Sequence, residues 1–141
     1  MDIVIGSEFH RKVIPLINAS KTSIDIVIFD WRWYPADVGN PVSLFNQSLV
    51  RAVRRGVAVR AVVNNDRLST LLQSVGIFTK RFRSARILHP KLMYIDDEIL
   101  ITGSHNYTQS AFTANMELSI IWQGVGGVPR VKEFFNNLFN I

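Results

Sequence analysis

The chain of 141 residues contains no cysteine, so disulfides and thiolate metal sites are excluded and the redox compartment stays open. No apolar run approaches the roughly 18 residues a membrane-crossing helix needs. The start, MDIVIGSEFHRK, lacks the charged opening and long apolar run of a secretory leader. That favours a cytoplasmic chain, although one whose leader had been removed would read the same way. Repeats, linkers and low-complexity segments are missing too. Acidic residues are scarce in one place: between Arg67 and Ile95 there are six basic residues and no acidic one. A one-signed stretch of this kind can attract polyanions, but charge alone slightly favours a solvated basic face.

Apolar residues are plentiful. They make up 48% of the chain, enough for a single domain with a real core and incompatible with disorder. Sixteen Lys and Arg against eleven Asp and Glu give a net charge of +5.

Periodicity supplies the elements. Phe9, Val13, Leu16 and Ile17 recur at helical spacing, with Ser7 placed to cap from about Glu8 and Pro15 expected to kink or shorten the helix. Residues 23–30, SIDIVIFD, read as a buried strand. A loop with Trp31, Trp33 and Tyr34 follows. Asn40-Pro41 opens a helix that Gly56 closes, with Leu44, Phe45, Leu49 and Val53 as its apolar stripe. Residues 57–64 form a second strand, and Asp66 is placed to cap a short helix ending at Gly76. Lys91 to Ile95 and Ile99 to Thr102 pair as a hairpin around Asp96-Asp97-Glu98. A helical turn, a strand from Glu117 and a last helix from Pro129 complete the chain. The order α-β-α-β-α-β-β-α-β-α predicts an α/β domain, a mixed β-sheet flanked by helices on both faces.

The richest chemistry lies in residues 89–117. His89 and Lys91 stand two apart in extended chain and share a face. Histidine can serve as base, acid or nucleophile near neutral pH, and lysine offers a point charge to a phosphate oxygen. The hairpin returns Gly103-Ser104-x-Asn106 beside them, where the Asn106 amide, the Ser104 hydroxyl and backbone N–H groups can donate to an anionic oxygen. Singly, each element is ordinary surface or turn chemistry.

Together, His89-x-Lys91-x4-Asp96-x6-Gly103-Ser104-x-Asn106 resembles the HKD motif of the phospholipase D superfamily. Its first three residues alone occur by chance in about one chain in a hundred of this length. Asn115-x-Glu117 extends the similarity to the superfamily's single-motif nuclease branch. The resemblance implies a phospholipase D-like fold over residues 1–141. It implies His89 as nucleophile forming a phosphohistidine, with Lys91 and Asn106 on the non-bridging oxygens, Ser104 supporting them and Glu117 orienting the histidine. Asp96 and Gly103 complete the motif, with Asp96 assigned a structural role from its place in the turn. No cofactor and no metal are implied. One motif supplies one histidine where two-step displacement asks for two, so the resemblance also implies a homodimer. The other histidines are His10, on the first helix, and His105, inside Gly-Ser-His-Asn; His105 is expected to be exposed or structural.

Lys80, Arg81, Arg83 and Arg86 lead directly into His89 and are expected to bind substrate. A second positive cluster, Arg51, Arg54 and Arg55, adds to the charge. The partner expected is DNA or RNA rather than a membrane. Two other readings stay open: a phospholipase D-type lipid phosphodiesterase, with the aromatic loop as interfacial anchor, and a catalytically silent nucleic-acid-binding module. Trp31, Trp33 and Tyr34 fit base stacking, and fit core or interface packing better.

Overall fold

A computed structural model describes residues 1–141. Seven strands form one sheet: β1 (Asp2–Ile5), β2 (Ser23–Ile28), β3 (Ala58–Val63), β4 (Phe78–Arg81), β5 (Lys91–Ile95), β6 (Ile99–Gly103) and β7 (Leu118–Gln123). Their order is β1-β7-β6-β5-β2-β3-β4. The β2–β3 and β3–β4 pairs are parallel, while β2–β5, β5–β6, β6–β7 and β1–β7 are antiparallel. Five helices accompany the sheet: α1 (Phe9–Asn18), α2 (Pro41–Arg54), α3 (Asp66–Ser74), α4 (Gln109–Thr113) and α5 (Pro129–Phe139). The expected α/β class and mixed sheet are present.

The two faces of the sheet are covered unequally. On one face, alternate residues of six strands meet α1, α2, α3 and α4 in a cluster of 27 buried residues, among them Ile26, Ala61, Met93, Ile101, Phe9, Phe45, Leu72 and Phe112. On the other face, α5 alone covers the sheet near β2, β3 and β5, setting Phe135 against Val27, Val62 and Leu92. β2 lies under helices on both sides, which is why its residues are buried from Ile24 to Ile28 and apolar except for Asp25. On the α5 face, β1 and β7 lack a covering helix, and Ile3, Ile5 and Leu118 stand 42%, 58% and 51% exposed.

α5 is also held by charge. Asp25 is fully buried on β2 and takes Arg60 Nε at 2.9 Å and Lys132 Nζ at 2.7 Å, and Lys132 reaches on to Asp97 at 2.8 Å. The Arg60 guanidinium lies 4.7 Å from the centre of the Phe135 ring. Burial alone would lower the pKa of Lys132, and its bonds to Asp25 and Asp97 outweigh that and raise it. A buried carboxylate is tolerated here because it is doubly paired. Just before α5 the chain passes so close to the β5–β6 turn that a Cβ at Gly127 would strike the Asp97 carbonyl.

Several sequence expectations change in detail. β1 and β4 are additional strands. Gly6–Glu8 form a 3₁₀ turn, and the Glu8 carboxylate caps it by accepting from Ile5 N–H at 2.8 Å; Ser7 makes no cap. α1 runs through Pro15 and ends at Asn18. Asn65, not Asp66, caps α3 by accepting from Leu68 N–H at 2.8 Å. The buried side of α2 is Val42, Phe45, Leu49 and Ala52, with Leu44 turned outward.

Candidate active site

Strand direction assembles the site. Ile28 ends β2 opposite Lys91, which begins β5. Gly103 ends β6 opposite Ser119 near the start of β7. The carboxyl ends of β2, β3 and β6 therefore meet the amino ends of β5 and β7 at one end of the sheet. His89, Lys91, Ser104, Asn106 and Glu117 all lie there. Carboxyl ends of strands are where open α/β sheets bind ligands.

His89 is exposed and sits just before β5. Lys91 Nζ lies 3.1 Å from both of its ring nitrogens. Phe29 backs the pair, with its ring centre 4.9 Å from that of His89 and 5.4 Å from Lys91 Nζ. Burial lowers the Lys91 pKa, and the nearby Glu117 charge works to raise it. Pro90 between them fits, because the segment enters β5 in the extended form that proline imposes on its predecessor.

Asn106 is oriented by the backbone. The Asp30 N–H donates to its side-chain oxygen at 3.1 Å. An N–H can face only an acceptor, so the Asn106 NH2 is directed away and keeps its donors for another group. Asp30 and Arg32 are further stitched to Tyr107 by bonds of 3.0 and 2.9 Å. The Phe29–Arg32 segment and the Asn106 loop are therefore tied together by three hydrogen bonds.

Ser104 is placed differently from its expected part. Its hydroxyl donates to the Leu118 carbonyl at 3.3 Å and accepts the Leu118 N–H at 3.0 Å, binding β6 to β7. Gly103 is glycine because β7 passes too close: a Cβ there would lie 2.4 Å from the Leu118 carbonyl oxygen and from Ser119 Cα. Glu117 accepts a bond from the Asn115 amide at 3.0 Å, and within one chain that amide, rather than His89, is its hydrogen-bond partner.

The other motif residues are structural in their surroundings. Asp96 sits at the far end of β5, about 17 Å of strand away from Lys91. Its carboxylate accepts from the N–H groups of Lys21, Thr22 and Ser23 and from the Thr22 hydroxyl, at 2.7 to 3.1 Å. Burial opposes its ionisation, yet the bonds from Thr22, Ser23 and Lys21 prevail and hold its pKa below the usual carboxylate value. His105 is 1% exposed and stacks on Phe9 at 4.5 Å. Its Nε2 donates to the Gly6 carbonyl at 2.9 Å and its Nδ1 accepts the Ser119 hydroxyl at 2.7 Å. Burial lowers its pKa. It is structural and not exposed.

The basic run splits. Lys80 donates to the Ile141 carbonyl. Arg81 Nε and Arg83 Nη2 lie 3.3 and 2.8 Å from the same Asp66 carboxylate oxygen. Arg86 is exposed and makes no side-chain ion pair. β4 carries Lys80 and Arg81 at the edge of the sheet, where cations discourage pairing with another strand. In the aromatic loop, Trp31 is buried and its indole N–H donates to Asn46 at 2.7 Å. The Tyr34 hydroxyl accepts from Gln109 N–H. Trp33 is only half-buried.

Sequence reasoning missed Phe29 and Asp30. The available signal was register: antiparallel pairing of β2 with β5 sets the residue after Ile28 beside the residue before Lys91.

With this geometry in view, residues 13–139 match the family model described as "Cardiolipin synthase, PLD-like domain". The chain belongs to this phosphodiesterase family, within the phospholipase D superfamily. It is 27% identical over 143 residues to the mitochondrial cardiolipin hydrolase of Xenopus laevis, covering 94% of this chain and 61% of that protein. To the mitochondrial cardiolipin hydrolase of Homo sapiens it is 28% identical over 140 residues, covering 95% and 52%. The chain thus spans roughly half to three fifths of these relatives. Among solved structures, Nuc from Salmonella typhimurium, a phospholipase D family member, superposes with a TM-score of 0.74 at 24% identity, covering 99% of this chain and 91% of that one. NucT from Helicobacter pylori gives 0.77 at 18% identity, covering 99% and 94%. These likenesses establish the phospholipase D-like fold.

Proposed function

We propose that the chain is a metal-independent phosphodiesterase, a non-specific endonuclease that cleaves nucleic-acid phosphodiesters through a phosphohistidine at a site shared by two copies. The observation that carries this reading is Lys91 Nζ lying 3.1 Å from both ring nitrogens of the exposed His89, with the Asn106 NH2 left free by the Asp30 N–H. A phosphate seated there meets a nucleophile, a cation and an amide donor.

The steps follow from those groups. A His89 ring nitrogen attacks phosphorus, the bond to the leaving oxygen breaks, and the leaving oxygen takes a proton from the second copy's histidine. Water then attacks the phosphohistidine, giving its proton to that second histidine and freeing His89. Lys91 and Asn106 steady the non-bridging oxygens in both steps. Ser104 supports the site by holding β6 against β7. Arg86, exposed, without an ion pair and three residues before His89, is the member of the basic run best placed to meet substrate. The uncovered strip Ile3, Ile5 and Leu118 is the surface on which two copies would meet, because it is apolar and runs toward Glu117 at the site end.

A second reading is hydrolysis of a lipid phosphodiester. It is favoured by the curated relatives named mitochondrial cardiolipin hydrolase, and by a groove near His89 that joins exposed Ile87 and Phe134 to Arg83 and Arg86. The structure has no helix long and apolar enough to cross a membrane.

The deciding experiment offers plasmid DNA, RNA and mixed phospholipid vesicles to the protein in chelator, with His89→Ala alongside. Cleavage of nucleic acid by the native chain alone supports the first reading. Hydrolysis confined to vesicles replaces it with the second. Nucleic-acid binding without cleavage by either protein leaves a silent binding module.

A further inference from the structure

A cleft of about 520 Å³ opens at the carboxyl ends of β2 and β3, between the Phe29–Pro35 segment and the start of α3. Its volume falls in the range of small-ligand sites. Phe29 forms part of its wall and also touches His89 at 4.9 Å between ring centres. The cleft is therefore next door to the scissile position, separated by one side chain. Its wall is joined to the Asn106 loop through Asp30, which holds Asn106 by its N–H and Arg32 by its carboxylate at 2.8 Å.

The lining has two chemistries. Arg67 is exposed at the mouth and its guanidinium takes part in no ion pair or hydrogen bond within the chain, whereas Arg81 and Arg83 share the Asp66 carboxylate. Trp33 is half-buried and lines the cleft, and its indole N–H is buried without a hydrogen-bond partner. Asn64 adds an amide beside them. A free guanidinium, an aromatic ring and an amide within one cleft are the groups that hold one unit of a single-stranded nucleic acid.

We infer that this cleft is a subsite for the nucleotide adjacent to the scissile phosphate, with Arg67 on its phosphate and Trp33 against its base. The inference rests on the nuclease reading above and names the substrate feature that reading leaves open: a preference for an unpaired strand with at least one further nucleotide. A paired base is already stacked between its neighbours and has no face to offer Trp33.

The test compares kcat/KM for single-stranded oligonucleotides of two to eight nucleotides with that for bis-p-nitrophenyl phosphate, a diester with no flanking phosphate. In the native protein the oligonucleotide value is expected to rise with the first added nucleotides and then level. Arg67→Ala and Trp33→Ala should each cut the ratio of oligonucleotide to small-diester kcat/KM by about tenfold, with Arg67→Lys recovering part of it. A proportional fall on both substrates, or an unchanged ratio, overturns the subsite. Binding of a labelled six-nucleotide strand to His89→Ala protein, with and without Arg67→Ala, supplies a reading independent of turnover, and equal affinities overturn it as well. Native protein that hydrolyses vesicles and neither binds nor cuts the strand overturns the nuclease reading itself, an outcome distinct from loss of the length dependence alone.

Discussion

The Asp30 N–H donates to the Asn106 side-chain oxygen at 3.1 Å, across 76 residues of sequence. One bond thus settles which end of the amide faces substrate. Asn106→Asp keeps the acceptor and the fold but replaces two donors with a negative oxygen next to the phosphate. Activity on bis-p-nitrophenyl phosphate should fall by about 10²- to 10³-fold, the usual loss when a donor to a developing oxyanion is removed. Unfolding by urea should change little. A variant that keeps more than a tenth of native kcat would remove Asn106 from the chemistry.

Glu117 and Lys91 are coupled by charge. Burial depresses the Lys91 pKa and Glu117 pulls it back up. Glu117→Gln removes the opposing effect, so the lysine should lose its proton at a lower pH than in the native chain. The alkaline limb of the kcat/KM profile is then expected to move to lower pH, a shift that loss of packing alone does not produce. An unmoved limb accompanied by lower activity throughout would point instead to histidine orientation as the role of Glu117.

Asp96 is most conspicuous in the motif and farthest from its chemistry. Both Asp96 and Asp97 have positive φ, 55° and 53°, in a two-residue turn of the kind where Asp and Asn are tolerated. Asp96→Ala loses the bonds to residues 21–23 and meets strain at that φ, and should cost about 2–4 kcal/mol. Asp96→Asn keeps the turn and part of the bonding, and should cost less. Because the native carboxyl has a folded pKa below its unfolded one, its contribution is complete above the unfolded value and disappears as pH falls through the folded value. Urea titrations from pH 6 to pH 2 should show native and Asp96→Asn stabilities converging in acid.

His105 sits inside the Gly-Ser-x-Asn signature and is buried for structural reasons. Its two ring nitrogens bind the turn at Gly6 and Ser119 of β7. Burial depresses its pKa, so the unfolded chain takes up a proton first as pH drops. Its contribution is intact above the unfolded value, near 6.5, and is lost as pH falls from there through the folded value. His105→Ala should destabilise by about 2–4 kcal/mol through the lost ring and two orphaned partners. Activity per folded molecule at pH 8 should change less than threefold. A loss comparable to that of His89→Ala would make His105 a participant.

What the sequence could show depended on how local the cause was. The mostly apolar run of β2 and helical spacing in α1, α2 and α5 reflect burial by neighbouring turns and facing layers, and both were legible. The site was legible because the hairpin that folds His89-x-Lys91 back on Asn106 is a local device. β1 was not: Asp2–Ile5 is a strand only because β7, more than a hundred residues away, pairs with it. β4 was hidden because Phe78–Arg81 reads as a basic coil until β3 offers a parallel edge. The basic run drew attention by its single sign, but charge patterning carries no record of Asp66 on α3, which occupies Arg81 and Arg83. Arg67 stood in the same stretch with nothing to distinguish it, and its freedom is a consequence of tertiary placement alone.

The uncovered half of the sheet gives the last expectation. Ile3, Ile5 and Leu118 are adjacent across the β1–β7 pair on the face that lacks a helix, and Met116 just before β7 is fully exposed. Leaving such a strip in water forgoes roughly 25 cal/mol for each Å² that a partner could cover. A single motif histidine per chain and an apolar strip that runs toward the same end of the sheet call for the same thing, a second copy related by a two-fold axis. Leu118→Lys places charge in the middle of that strip, and because the Ser104 bonds are to the Leu118 backbone, the link between β6 and β7 survives. Sedimentation velocity should give a dimer for the native chain and a monomer for Leu118→Lys at micromolar concentration, with activity lost in parallel. Raising the variant's concentration should restore activity and dimer together. A native monomer that cleaves phosphodiesters at full rate would end the shared-site proposal and oblige one chain to supply both histidine roles.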